Sequence, residues 1–226
     1  DPSYDTRLWL YNNSLAQLAF SDDDGEFSYS RISVCLPAGT YYAKVDDFNN
    51  NHEIPAYTLS LRTSTSCVNV NLAGQLTGQF GLLSGSSTRL SITSADGGPV
   101  QLSSTGSAKI VGAERMIYKV LGNYTSYSEL MGLPSQLVDT TYWLPWYNNV
   151  GLDSQLRFAN ISNATASVHV YIGGQEMLGS PFSLAAGASR RVNFPGIDSG
   201  PVQIVSNQDI VAAERVIYRL NGVYHS

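Results

Sequence analysis

Charge is what this sequence has least of. Only 14% of its 226 residues are Asp, Glu, Lys or Arg, against about a quarter in an ordinary soluble domain. Lysine occurs just three times, at Lys44, Lys109 and Lys119. The 13 basic and 18 acidic residues leave a net charge of −5, so no basic footprint exists to steer a phosphate backbone, and nucleic acid is excluded as a partner. No apolar run approaches the roughly 20 residues of a bilayer span. The opening Asp1-Pro-Ser-Tyr4 also lacks the basic-then-apolar profile of a signal peptide, so an exported chain would be represented here by its mature part. Cysteine is limited to Cys35 and Cys67, too few for a disulfide scaffold and too far apart for a CxxC pair. Catalytic signatures are missing too: there is no G-x-S-x-G, no H-E-x-x-H and no Gly-rich phosphate loop. His52, His169 and His225 fall in three unrelated segments. The expectation is a protein that is not an enzyme.

What the chain does have is the punctuation of short strands. It carries 20 Gly, 9 Pro and 14 Tyr, and apolar and polar residues alternate over Arg7–Tyr11, Tyr41–Val45, Tyr57–Leu61, Val68–Leu72, Thr88–Thr93, Val100–Ser103, Gln155–Ala159, Ser167–Ile172, Arg190–Phe194 and Val202–Val205. Turn signals such as Gly97-Gly98-Pro99, Gly173-Gly174 and Ser199-Gly200-Pro201 separate them. The one helical expectation is a short turn at Ser128–Met131. The fold class expected is all-β, as tandem antiparallel β-sandwiches. Charge divides the chain unevenly: residues 1–60 hold nine acids and three bases, whereas the other 166 hold nine acids and ten bases. That shift places a domain boundary near residues 60–67.

After the acidic segment the chain repeats itself. Pro99-Val-Gln-Leu and Ile110-Val-Gly-Ala-Glu-Arg-Met-Ile-Tyr-Lys119 return as Pro201-Val-Gln-Ile and Ile210-Val-Ala-Ala-Glu-Arg-Val-Ile-Tyr-Arg219. Upstream, Val68-Asn-Val-Asn-Leu-Ala-Gly-Gln75 resembles Val168-His-Val-Tyr-Ile-Gly-Gly-Gln175. These matches, kept in order, define two homologous units. The division expected is a partial sandwich over 1–66, a first repeat over 67–138 and a second over 139–226. One asymmetry stands out. Thr141–Asn149 precedes the second copy, while the end of the acidic domain occupies that place in the first, which leaves room for one domain to borrow or lend a strand.

Residues 5–61 carry Asp5-Thr-Arg-Leu-Trp-Leu-Tyr11, Asp22-Asp-Asp-Gly25, Ser30-Arg-Ile32, Leu36-Pro-Ala-Gly-Thr-Tyr-Tyr42 and Tyr57-Thr-Leu-Ser60. In that order they resemble the bacterial pre-peptidase C-terminal domain, a small β-sandwich appended to exported proteins and related to collagen-binding modules. The resemblance implies export, a non-catalytic role and an extracellular or cell-surface location. Family members have several strands before the Asp-Thr-x-Leu strand, so the first sandwich is expected to be incomplete here. Residues 68–226 resemble tandem β-repeats of large exported proteins of filamentous bacteria.

Four groups of residues are candidate sites. Asp22, Asp23, Asp24 and Glu26 pack carboxylates around Gly25 as possible calcium ligands, with Asp5 or Asp46 and Asp47 from adjacent loops; the alternative is a solvated acidic turn. Cys35 and Cys67 form a disulfide if their strands are neighbours, or remain two buried thiols. Tyr142, Trp143, Trp146 and Tyr147 form the densest aromatic cluster, suited to an interface, to sugar stacking or to filling a core. Glu114-Arg115 and Glu214-Arg215 suit cross-strand ion pairing. Asn12, Asn123, Asn160 and Asn163 begin N-x-[ST] sequons, which arise often by chance in so Asn- and Ser-rich a chain.

The function expected is a subunit of an extracellular polymer, copies of which complete each other's open sheet edges. The alternative is an accessory module of a secreted hydrolase that binds collagen-like protein or polysaccharide.

Overall fold

The structure is a computed structural model that describes residues 5–23, 29–48, 53–54, 56–63, 66–92, 96–106, 108–120 and 122–226. It is all-β, built of antiparallel sheets and, among the described residues, with no α-helix. Contacts divide the chain into two compact units, one of residues 1–70, 78–91 and 103–109, the other of residues 71–77, 92–102 and 110–226.

In the first unit, β1 (Thr6–Tyr11), β2 (Gln17–Ser21) and β3 (Tyr42–Asp47) form a sheet in the order β2-β1-β3. The hairpin between β1 and β2 closes on Asn12, whose Oδ1 accepts from the Ser14 N–H (3.0 Å), the Ser14 hydroxyl (2.8 Å) and the Ala16 N–H (2.9 Å). Asn serves here because its short side chain imitates a backbone turn. Next, β4 (Cys67–Leu72), β5 (Gln75–Gly81) and β6 (Val100–Ser104) make a sheet in the order β5-β4-β6.

Two long strands follow, β7 (Ala113–Val120) and β8 (Asn123–Met131), paired as a hairpin. Ser128–Met131, expected as a helical turn, therefore belongs to a strand. Register with β7 decides this, with Ser128 opposite Met116 and Met131 opposite Ala113. A short 3₁₀ turn comes later, at Ser135–Leu137.

The remaining strands are β9 (Asp139–Leu144), β10 (Tyr147–Asn148), β11 (Asp153–Asn160), β12 (Ala166–Ile172), β13 (Gln175–Glu176), β14 (Phe182–Leu184), β15 (Ser189–Val192), β16 (Asp198–Ser199), β17 (Val202–Leu220) and β18 (Val223–His225). At 19 residues, β17 pairs with four of them, β9, β11, β12 and β18. Val202–Val205 pairs with β9 and β12, Ile210–Ile217 with β11, and Tyr218–Leu220 with β18. The change of partner falls at the polar stretch Ser206–Asp209, where register shifts and the Ser206 hydroxyl accepts from the Gln208 N–H. Such an irregularity lets one strand serve two differently directed sets of neighbours. One core results, containing Val168, Val170 and Ile204 from one set and Leu156, Phe158 and Ile210 from the other. Alternation explains the burial: β12 reads buried at Ala166, Val168, Val170 and Ile172 and half-buried between them.

The sequence match between the two copies has a local geometric counterpart. Ala73-Gly74 and Gly173-Gly174 both have positive φ at both positions (50° and 78°, 59° and 79°), the conformation of a tight type I′ hairpin turn. The Ala73 N–H donates to the Pro99 carbonyl at 2.9 Å, and the Gly173 N–H to the Pro201 carbonyl at 3.0 Å. Strand order β5-β4-β6 likewise matches β13-β12-β17. The copies diverge elsewhere. Tyr57–Leu61, expected as a strand, carries none, and neither do residues 88–92 of the expected strand Thr88–Thr93, whose last residue lies outside the described ones, because a period-two pattern becomes a strand only where an edge is present to pair with it.

Candidate functional site

The acidic segment is placed by β1 and β2. Asp5 precedes β1, and Asp22 and Asp23 follow β2, so the antiparallel register brings the ends together. Carboxylate oxygens of Asp5, Asp22 and Asp23 lie within 4.8 Å of one another. Asp5 Oδ1 and Asp22 Oδ1 are buried with no hydrogen-bond partner among the described residues. Burial, then the charges of Asp23, Asp22 and Asp47, push the Asp5 carboxyl above its usual range, with Arg7 opposing. The Ser30 hydroxyl ties the cluster, its single proton shared between the carbonyls of Thr6 and Asp22. Three carboxylates so placed offer oxygen ligands of the kind hard cations take. Asp24 and Glu26 lie outside the described residues. Asp46, expected as a further ligand, is engaged elsewhere: it accepts from Arg7 Nε at 3.0 Å and from Lys44 Nζ at 2.9 Å. Burial alone would raise its pKa, but the hydrogen bonds from Lys44 and Arg7 hold it below the usual carboxylate range.

Cys35 and Cys67 are joined by a disulfide, with 5.9 Å between their Cα atoms. Cys67 opens β4 and is pinned on its other side by Thr105, whose hydroxyl accepts the Cys67 N–H at 3.1 Å and whose N–H donates to the Cys67 carbonyl at 2.9 Å.

The aromatic cluster splits by strand parity. Along β9 every second residue turns inward, so Tyr142 and Leu144 pack against the core while Trp143 stays exposed. The Tyr142 hydroxyl donates to the Ile210 carbonyl at 2.5 Å, and burial raises its pKa. Tyr147 is fully buried: its hydroxyl accepts from the Phe194 N–H at 2.7 Å and donates to the Ser154 carbonyl at 3.0 Å. Trp146 is exposed but fixed, since its Nε1–H donates to Asp198 at 2.9 Å. Gly200 makes room for that bend, because a Cβ there would meet the Pro145 carbonyl oxygen at 2.6 Å. Of the four aromatic residues, then, two build the core and two present indole faces to solvent.

The Glu-Arg repeats also separate. Arg115 pairs across the hairpin with Glu129 at 2.6 Å, whereas Arg215 donates to the Ser226 hydroxyl at 3.0 Å. His169 Nδ1 lies 2.8 Å from Glu176 Oε1, its ring stacks on Tyr171, and the Ser180 hydroxyl donates to that same carboxylate at 3.1 Å. Ser180 thus faces the acid rather than the imidazole, so these three groups do not form a base-activated nucleophile. His52 lies outside the described residues.

The sequons turn out to have a structural role that sequence reading missed. Asn160 is 0% exposed. Its Oδ1 accepts from the Ser162 N–H (2.9 Å) and hydroxyl (2.7 Å), and its Nδ2 donates to the carbonyls of Ala164 (2.7 Å) and Leu184 (2.9 Å). The signal was present as Asn-x-Ser-x-Ala, which occurs at both Asn12 and Asn160.

Comparison with protein-family models, with curated proteins and with solved structures finds no match to this chain. The class defined by fold and sites is therefore that of an all-β, disulfide-containing chain with, among its described residues, no helix long and apolar enough to cross a membrane.

Proposed function

We propose that this chain is an exported, non-enzymatic structural protein whose copies assemble into an extracellular or cell-surface polymer by strand or edge complementation. The observation that carries this reading is the β7–β8 hairpin. It is a two-stranded sheet with no third strand among the described residues, and it leaves Met116, Ile117, Tyr127, Leu130 and Met131 exposed. An isolated two-stranded ribbon is marginal in water, and an unpaired edge beside apolar side chains is a template for another chain. The disulfide fits an oxidising compartment, and the pre-peptidase resemblance of residues 5–61 points the same way. Sedimentation velocity over a concentration series, with electron microscopy of the concentrated sample, tests it. Filaments or tubes with a one-chain repeat are expected; a monomer at every concentration sinks the reading.

Exposed Trp143 and Trp146 favour the second reading, an accessory module that binds polysaccharide or collagen-like protein. It predicts retention on an insoluble glycan or on collagen that Trp143→Ala and Trp146→Ala abolish.

A further inference from the structure

The chain contains one edge twice but pairs it only once. Ile210–Ile217, reading Ile-Val-Ala-Ala-Glu-Arg-Val-Ile, is paired along its whole length with β11, from Asp153 opposite Ile217 to Asn160 opposite Ile210. Its counterpart Ile110–Ile117 reads Ile-Val-Gly-Ala-Glu-Arg-Met-Ile. There, β7 pairs only with β8 among the described residues, so one of its edges carries no strand. Burial records the difference: Ile217 is 7% exposed and Ile117 57%, while Val111 is 88% exposed and its counterpart Val211 is half-buried.

The strand that would fill the role of β11 is present in the sequence. β11 lies just before β12, and the segment standing just before β4, the counterpart of β12, includes Tyr57-Thr-Leu-Ser-Leu61. It alternates apolar and polar residues as a strand should, yet it carries no strand and leaves Tyr57, Leu59 and Leu61 exposed, Leu61 at 90%. An acceptor edge and a donor pattern therefore both stand unused, and β11 with β17 shows what their pairing looks like.

We propose that Tyr57–Leu61 of one copy adds as a strand to the Ile110–Ile117 edge of a second copy, and that this is the contact that propagates the assembly. The inference rests on the polymer reading and names the surface it uses. Donor and acceptor are different segments of the chain, so the contact is heterologous and repeats without closing unless geometry forms a ring. Register follows from the apolar pattern. Leu156 and Phe158 of β11 face the core opposite Glu214 and Ala212. Tyr57 and Leu59 take those places opposite Glu114 and Gly112, which sets Thr58 opposite Ala113. A one-residue slip would turn both apolar side chains to the other face.

The test mixes full-length Thr58→Cys chains with full-length Ala113→Cys chains, the native disulfide retained, and follows mild oxidation on a non-reducing gel. A mixed dimer is expected only in the mixture, and the double variant Thr58→Cys/Ala113→Cys should give a ladder of linked chains. Thr58→Cys with Arg115→Cys, two residues out of register, should cross-link at least several-fold more slowly. Leu59→Lys, on the apolar face of the donor and exposed in the single chain, should leave the circular dichroism spectrum and melting unchanged yet abolish assembly. A double variant that closes only within its own chain overturns the proposal, as does a Leu59→Lys chain that assembles like wild type; in the latter case the polymer reading survives with another contact. A wild-type chain that stays monomeric and gives no mixed dimer removes both.

Discussion

Replacing Asn160 by Asp swaps one NH₂ for an oxygen at constant shape, and the structure makes that swap severe. In the wild type the side chain is fully buried, with two bonds accepted at Oδ1 and two donated from Nδ2. Aspartate keeps the accepted bonds from Ser162 but turns an oxygen toward the carbonyls of Ala164 and Leu184. The buried Leu184 carbonyl loses its donor, at about 1–3 kcal/mol, while the Ala164 carbonyl is exposed and keeps the Ser162 hydroxyl at 3.0 Å, so the swap should cost about 2 kcal/mol at neutral pH before the buried charge is counted. The new carboxyl, buried and facing two carbonyls, must have a folded pKa above its unfolded value. Its destabilisation is therefore present above the folded pKa and shrinks as pH falls through it, when the protonated oxygen can donate one bond again. Asn12→Asp is the internal control. Asn12 occupies the same Asn-x-Ser-x-Ala motif, is only half-buried, and uses its Oδ1 as an acceptor from Ser14 and Ala16, all of which aspartate retains; a change within about 0.5 kcal/mol is expected. Urea unfolding read by tryptophan fluorescence measures both, since Trp143 and Trp146 belong to the unit of Asn160 and Trp9 to that of Asn12. A loss below about 1 kcal/mol for Asn160→Asp, or equal losses for the two variants, would mean that the Asn160 amide does not hold the Leu184 carbonyl as described.

Three other perturbations have definite directions. Replacing Cys35 and Cys67 by Ser opens a loop of sequence separation 32, which the chain-entropy relation values at about 3.7 kcal/mol; urea unfolding read by Trp9 should move by that order while the Trp143/Trp146 transition holds. Asp5→Asn relieves a carboxyl whose pKa is raised by burial and by Asp23, Asp22 and Asp47. Because the folded value lies above the unfolded one, the penalty exists at neutral pH and fades as pH falls toward 3.8; the variant should melt higher than wild type at pH 7 and equally at pH 3, and a lower melting point at pH 7 would count against the carboxylate cluster. At the repeated hairpin turn, Ala73→Gly relieves a left-handed residue and should stabilise by up to about 1 kcal/mol. Gly173→Ala should destabilise by more, since its Cβ would also stand 2.6 Å from the Ser199 hydroxyl; thermal melting of both variants checks the sign.

Much of this was legible in the residues alone. Alternation located β1, β3, β4, β6, β11, β12 and the start of β17, because side chains on a strand must choose between core and solvent at a period of two. What alternation could not supply was the partner. Tyr57–Leu61 has as clean a pattern as Arg7–Tyr11, yet only the latter lies between two strands, β2 and β3. The aromatic cluster shows the same limit in miniature. Its density was plain, but the inward turn of Tyr142 and Tyr147 and the outward turn of Trp143 and Trp146 depend on the parity of β9 and on the bend that Gly200 admits. In the acidic segment, proximity of Asp22 and Asp23 was a matter of sequence, whereas the arrival of Asp5 and the diversion of Asp46 to Arg7 and Lys44 came from register.

Composition and short-range pattern are enough to make the chain all-β, poor in charge, acidic at one end and internally duplicated. Tertiary structure alone decided which of two nearly identical strands is covered. Ile210–Ile217 and Ile110–Ile117 differ at two positions, and their intrinsic preferences are the same; their environments differ because β11 stands beside one of them. Strand pairing is a long-range event whose free energy comes from the neighbour, and the neighbour is what a local reading of residues does not contain.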